Sequence, residues 1–334
     1  MARRTNRAVG VVIALGLAAT AFAAGPAPPD RPPPPAKGPM AWAYPAAKSE
    51  QADAGFFKHQ GSYTLPGSRL KLTEAQLDDS WAAVDWLPSE HPPAPPVVLH
   101  GRQPDTYACG LCHMVNGQGG HGVPSLAGLP RDYIAAQVAA FASGQRASSF
   151  FLRDAANMTT VARAARPAEI AAAADYYARL PYRPWIRVVE AAKVPATAPS
   201  YWGWTEALPG PRRDPIGVRI VEVAEDRQRA GMSDPHSGFI AYVPPGSVAR
   251  GRALAERGVG GQPPCAACHG PHLTGSSIAP PLAGRSPTYL ARQLWDIRTG
   301  ARRGAGAAPM RPVARVLDAE GIVDITAYLA SLRP

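Results

Sequence analysis

The sequence predicts a mostly α-helical protein: two similar helical units, a proline-rich N-terminal extension and a partly β-structured connection between the units. Three observations lead there. The five-residue pattern Cys-x-x-Cys-His occurs twice, as Cys109-Gly110-Leu111-Cys112-His113 and as Cys265-Ala266-Ala267-Cys268-His269. Each copy is followed by the same succession of loop, amphipathic helix, methionine and second amphipathic helix, at an offset of about 150 residues, which is the mark of an internal duplication. The stretches outside the repeats are rich in proline or alternate apolar and polar residues instead.

In chain order, residues 1–23 have the layout of a secretory signal peptide. Arg3, Arg4 and Arg7 form a basic start, Val9 to Ala19 is uncharged and apolar, and Ala21-Phe22-Ala23 offers small residues for cleavage after Ala23. The apolar run is shorter than the ~20 residues a membrane span needs. Residues 24–96 form the extension. Pro32 to Pro35 predict an extended linker, and Thr73-Glu74-Ala75-Gln76 reads as a capping box opening a helix toward Trp81. Residues 97–184 and 247–334 are the two repeat units, and 185–246 the connection. Within the connection, Trp202 and Trp204 mark an aromatic cluster, and Val218 to Val223 and Phe239 to Val243 read as strands that pair.

The motif carries the chemistry. Cys-x-x-Cys-His is the attachment pattern for c-type haem: two thiols add across the porphyrin vinyl groups, and the adjoining His becomes an axial iron ligand. The two copies use all four cysteines, leaving none for a disulfide, a zinc site or a thiol nucleophile. The expectation is therefore two covalently bound haem c groups, on Cys109 and Cys112 and on Cys265 and Cys268, with His113 and His269 on the irons. Attachment of this kind takes place outside the bacterial cytoplasm, so the motif and the leader agree on a periplasmic protein.

The units match in detail. Pro124-Ser125-Leu126-Ala127-Gly128 answers Pro281-Leu282-Ala283-Gly284. Tyr133, Gln137, Val138 and Phe141 before Gly144-Gln145-Arg146 answer Tyr289, Gln293, Leu294 and Ile297 before Gly300-Ala301-Arg302. Closing helices run over Pro167 to Leu180 and Asp318 to Leu332, with apolar residues three and four apart. The second unit also has a leading helix, Ser247 to Arg257. The first has only Val97-Val98-Leu99 and a loop before its motif, and the Thr73 helix is the candidate substitute.

This layout resembles the tandem two-haem members of the class I cytochrome c family over residues 97–184 and 247–334. The resemblance implies small helical domains wrapped around haem, with a distal methionine before each closing helix. Met158 and Met310, 45 and 41 residues past their motif histidines, hold those positions; His91 and His100 are the alternatives to Met158. Met/His ligation saturates iron and suits electron transfer. The expected function is electron transfer between a dehydrogenase-type donor and a respiratory acceptor such as a terminal oxidase. Its alternatives are the haem subunit of an oxidoreductase complex and a di-haem enzyme with one labile distal ligand. No catalytic constellation stands out, and a carrier is expected rather than an enzyme. The net charge of +10 falls to +7 without the three leader arginines. Such a surface suits acidic redox partner proteins or an anionic membrane surface, and export argues against nucleic acid.

Overall fold

The computed structural model describes residues 37–45, 61–120, 122–199 and 205–334. The leader, the Pro32 to Pro35 run, His59, His121, Trp202 and Trp204 lie outside the described residues. Among the described residues no helix is long and apolar enough to cross a membrane.

The first described segment is a strap. A 3-10 turn over Ala41–Ala43 buries Met40, Ala43 and Tyr44 completely or nearly so, against helices that come some 250 residues later in the chain. Helix α1 (Glu74–Leu77) opens on the capping box its sequence predicts: the Thr73 hydroxyl accepts from the Gln76 amide, and the Gln76 side chain accepts from the Thr73 amide at 2.9 Å. It stops after one turn, because the Asp79 carboxylate accepts from the Trp81 amide at 2.8 Å and fixes a local turn that competes with helix. α1 belongs to a small core of Tyr63, Leu65, Leu77, Trp86, Leu87 and Met232, so it does not stand in for the leading helix of the first unit. That place falls to α2 (Pro96–Leu99), a single turn whose Val98 is fully buried. The motif helix α3 (Cys109–His113) packs directly on α2. Gly110 makes this approach feasible: a Cβ there would lie 2.7 Å from the Val98 carbonyl oxygen.

Helices α4 (Arg131–Ala142), α5 (Arg153–Ala164) and α6 (Pro167–Arg179) complete the first helical group. Ile134, Ala174, Tyr176 and Tyr177 close its core with Val98 and Val115.

The connection folds into strands β1 (Ile186–Glu190), β2 (Lys193–Pro195), β3 (Thr197–Pro199), β4 (Thr205–Ala207), β5 (Arg213–Pro215) and β6 (Val221–Ala224), a turn of helix α7 (Arg227–Gly231) and strand β7 (Phe239–Val243). The expected pairing of the 218–223 and 239–243 stretches forms as β6 antiparallel to β7, with Val223 opposite Ile240; the strand begins only at Val221, and Val218 is exposed. β1 adds in parallel on the other edge of β7, giving the order β1-β7-β6. β2 pairs with β5 and β3 with β4 as short antiparallel ribbons. The apolar face of the three-stranded sheet, with Ala241 and Val243, rests on Val323 and Ala327 of the last helix.

The second helical group comprises α8 (Ser247–Arg257), the motif helix α9 (Ala266–His269), α10 (Pro287–Thr299), α11 (Arg311–Val316) and α12 (Ala319–Ser331). α8 crosses α12 along most of its length. The crossing is close because residue 251 is glycine; a Cβ there would collide with the Asp324 carbonyl. Glu222, which an alternating strand would turn to solvent, is 1 % exposed and accepts from the Ser286 hydroxyl at the start of α10.

Candidate haem centres

The first motif opens on a large, predominantly apolar cavity of about 1490 Å³ including its mouth. Cys109, Cys112 and His113 line it from α3, Met158 from α5, and Tyr177 from α6. Two thiols, an imidazole and a thioether thus border one apolar space of a size and donor set that fit a covalent haem. His113 Nδ1 lies 3.0 Å from the Pro124 carbonyl oxygen. A carbonyl only accepts, so Nδ1 carries the proton and Nε2 keeps the lone pair a metal requires. Burial pushes this imidazole down to about 4, so the ring is neutral. Burial also pushes the Cys109 and Cys112 thiols up to about 12, which keeps them from being free thiolates.

The second motif repeats the arrangement. His269 is 6 % exposed, its Nδ1 donates to Pro280 at 2.8 Å, and burial lowers its pKa in the same way. Cys265 and Met310 pack against one apolar cluster that contains Leu273, Leu290 and Leu294. The two methionines differ in setting: Met158 sits inside α5, whereas Met310 ends a 3-10 turn before α11.

The histidine alternatives to Met158 have other surroundings. His91 Nε2 contacts Asp85 at 3.0 Å, and its Nδ1 lies 2.9 Å from the Pro92 carbonyl and 3.0 Å from the Tyr176 hydroxyl. His100 is exposed, and neither histidine lines the cavity that Met158 lines. His236 pairs with Glu90 at 2.8 Å, and His272 is exposed.

Between the two groups lies a reciprocal node that the sequence displayed as a repeat without revealing its use. Arg146 donates to Gln137 of its own group at 2.9 Å and, across the junction, to the Tyr289 hydroxyl at 2.7 Å and Gln293 at 3.1 Å. Arg302 donates to Gln293 of its own group at 2.9 Å and across to Tyr133 at 3.1 Å and Gln137 at 2.9 Å. Two backbone bonds, Ala147 N–H to Ala301 O at 3.0 Å and Arg303 N–H to Gln145 O at 2.8 Å, complete the symmetry. The matched Gly-x-Arg endings of the two helices were the available signal. A further bridge, Arg285, carried no signal because its counterpart is Leu129. It donates to the Ser125 and Ala127 carbonyls at 2.9 and 3.1 Å and lies over the Tyr182 ring, next to the Pro124 carbonyl that orients His113.

With that geometry in hand, the relatives can be placed. The cytochrome c family profile matches residues 248–333. Cytochrome c-554(548) of Halomonas halodenitrificans is 46 % identical over 68 residues, which are 20 % of this chain and 82 % of that protein. This chain belongs to the cytochrome c family. Membership in the cytochrome c family means covalent haem c with its iron. Cytochrome c4 of Pseudomonas aeruginosa is 34 % identical over 114 residues, 33 % of this cytochrome c and 52 % of that protein, so the match spans about half of it. A protein of Thiomonas intermedia named thiosulfate dehydrogenase electron acceptor is 28 % identical over 234 residues, 68 % of this chain and 80 % of its own.

Proposed function

We propose that this cytochrome c binds two haems, one in each of two domains at 97–184 and 247–334, and carries electrons in the periplasm between a dehydrogenase-type donor and a respiratory acceptor. The observation that carries this reading is the wall of the first cavity, where Cys109, Cys112, His113 and Met158 meet, with the same order of residues repeated around His269 and Met310. Haem c bound there would supply a one-electron iron couple, which Met/His ligation would suit to electron transfer. The protein's part is positional. Cys109 and Cys112, and Cys265 and Cys268, would hold the haem groups covalently; Pro124 and Pro280 hold the imidazoles in the tautomer that presents Nε2; Met158 and Met310 would supply the second protein ligands. A partnership with a dehydrogenase is supported by the relative named as the electron acceptor of one, and that likeness also favours a role as the electron-transfer component of such a complex.

The test is a haem count and a carbon monoxide challenge on the exported chain. Pyridine haemochrome should give two haems per chain, and the reduced protein should stay low-spin and unreactive to carbon monoxide at neutral pH. One haem per chain, or ready carbon monoxide binding at either, overturns the reading.

A further inference from the structure

The pseudo-symmetry of the two groups fails at one face of α10. Position for position, α10 corresponds to α4: Tyr289 to Tyr133, Gln293 to Gln137. On that scale Arg292 corresponds to Ala136 and Asp296 to Ala140. Ala136 is exposed, whereas Arg292 is 2 % exposed and reaches into the other helical group. Its Nη1 donates to the Ala43 carbonyl of the N-terminal strap at 3.1 Å, its Nη2 donates to the Gly122 carbonyl, and it lines the first cavity with Cys112, His113 and Met158. Asp296, 4 % exposed, accepts from the Tyr44 hydroxyl at 2.7 Å and from the Ser149 amide and hydroxyl at 2.8 and 2.7 Å. In the second group the counterpart of Gly122 is Ile278, which is 77 % exposed. So a buried guanidinium from the second group, held by the N-terminal strap, lines the first cavity, whereas Ile278 in the matching loop of the second group is exposed.

Building on the two-haem reading, we propose that Arg292 is a fixed cation of the first haem site, lent by the second helical group, that makes the first haem easier to reduce than it would otherwise be. A buried cation favours the reduced iron, which carries one positive charge fewer, and it acts through protein rather than water. Three carboxylates, Asp154, Glu169 and Asp296, and a second guanidinium, Arg146, line the same cavity. They do not reverse the sign of the expected change, because Arg292→Gln takes away one positive charge and leaves every other charge in place.

The experiment is an equilibrium redox titration of the whole two-haem protein at pH 7. Met158→His identifies the wave of the first haem by moving it; if it moves neither wave, the ligation reading fails, independently of the inference. Arg292→Gln should lower the reduced-to-oxidised ratio of that haem about tenfold at a fixed potential, a shift of about 59 mV for a one-electron couple, and leave the second wave in place. Arg292→Lys, which keeps the charge, should retain most of the original value. An unmoved first wave, an equal shift of both waves, or a lysine variant as displaced as the glutamine one would overturn the proposal. Should Arg292→Gln not accumulate as folded protein, the double variant Arg292→Gln/Asp154→Asn is compared with Asp154→Asn alone: its first wave should lie lower, and equal first waves sink the proposal.

Discussion

The two helical groups answer the same structural demand with different means. In the second, the closing helix α12 is crossed by an eleven-residue α8 through the Gly251 contact, and Ile322, Ile325 and Leu329 are buried in a core continuous with α10. In the first, the leading element is one turn, α2. The surface left over beside α6 is covered from outside the repeat: the Tyr176 hydroxyl donates to the Val115 carbonyl and meets His91 from the extension, and the extension is pinned to the connection where Trp86 Nε1 donates to the Met232 carbonyl at 2.6 Å. Gln118, five residues past His113, donates to the Ser237 carbonyl at 2.9 Å. A duplicated unit can lose a helix when buried apolar contacts and satisfied polar groups are supplied by neighbouring segments, since burial is indifferent to where in the chain a partner originates. The first group thereby becomes dependent on the extension, the connection and the second group.

Three experiments probe that contrast in stability. The largest effect should come from Ile325→Ala, which gives α12 the residue that α6 has at the matching position, Ala173. Ile325 is 3 % exposed, and the cavity left should cost about 3 kcal/mol in urea unfolding. A much smaller loss would mean that the second core is as adaptable as the first. Next is Asp154→Asn. The matching position in the second group is Gly306, four residues before Met310 as Asp154 is before Met158. Burial raises the Asp154 carboxyl to about 6 against the pull of Arg292 and Arg153. The native state therefore binds that proton more tightly than the unfolded chain, and its stability contribution, full below about 4, is lost as pH rises through 6. The asparagine variant should be more stable than the parent at pH 7 by about 2 kcal/mol, with the gap closing as pH falls to 4. A gap independent of pH would show that the carboxyl is solvated. The smallest effect concerns the reciprocal node. Arg146→Ala and Arg302→Ala should each cost about 1 to 2 kcal/mol, with a coupling of about 1 kcal/mol in the double variant. Unequal single costs would show that the symmetric hydrogen bonds conceal an energetic asymmetry.

Much of this was readable along the chain. The helices α6, α8, α10 and α12 fall where apolar residues recur at three and four, and the β6–β7 pair follows from its β-branched run. The extension was harder. Its capping box is real, yet the helix it opens ends after one turn, because an Asp side chain offered the backbone a turn instead. Glu222 defeated the strand pattern because its hydroxyl partner, Ser286, lies 64 residues away.

What the sequence determined by itself is the chemistry of attachment: thiol, thiol and imidazole within five residues form a local unit, and its repetition needs no fold to be read. The candidate distal residue Met158 and its two histidine competitors were all nameable in the same way. Only the tertiary structure separates their surroundings, because lining a cavity is a property of packing: Met158 borders the apolar space and His91 is held by Asp85. It also decided that the two repeats are unequal in their surroundings. Arg292 looks like one more polar residue on an amphipathic helix until the strap, contributing Ala43 from 249 positions earlier, closes over it and turns a solvated charge into a buried one.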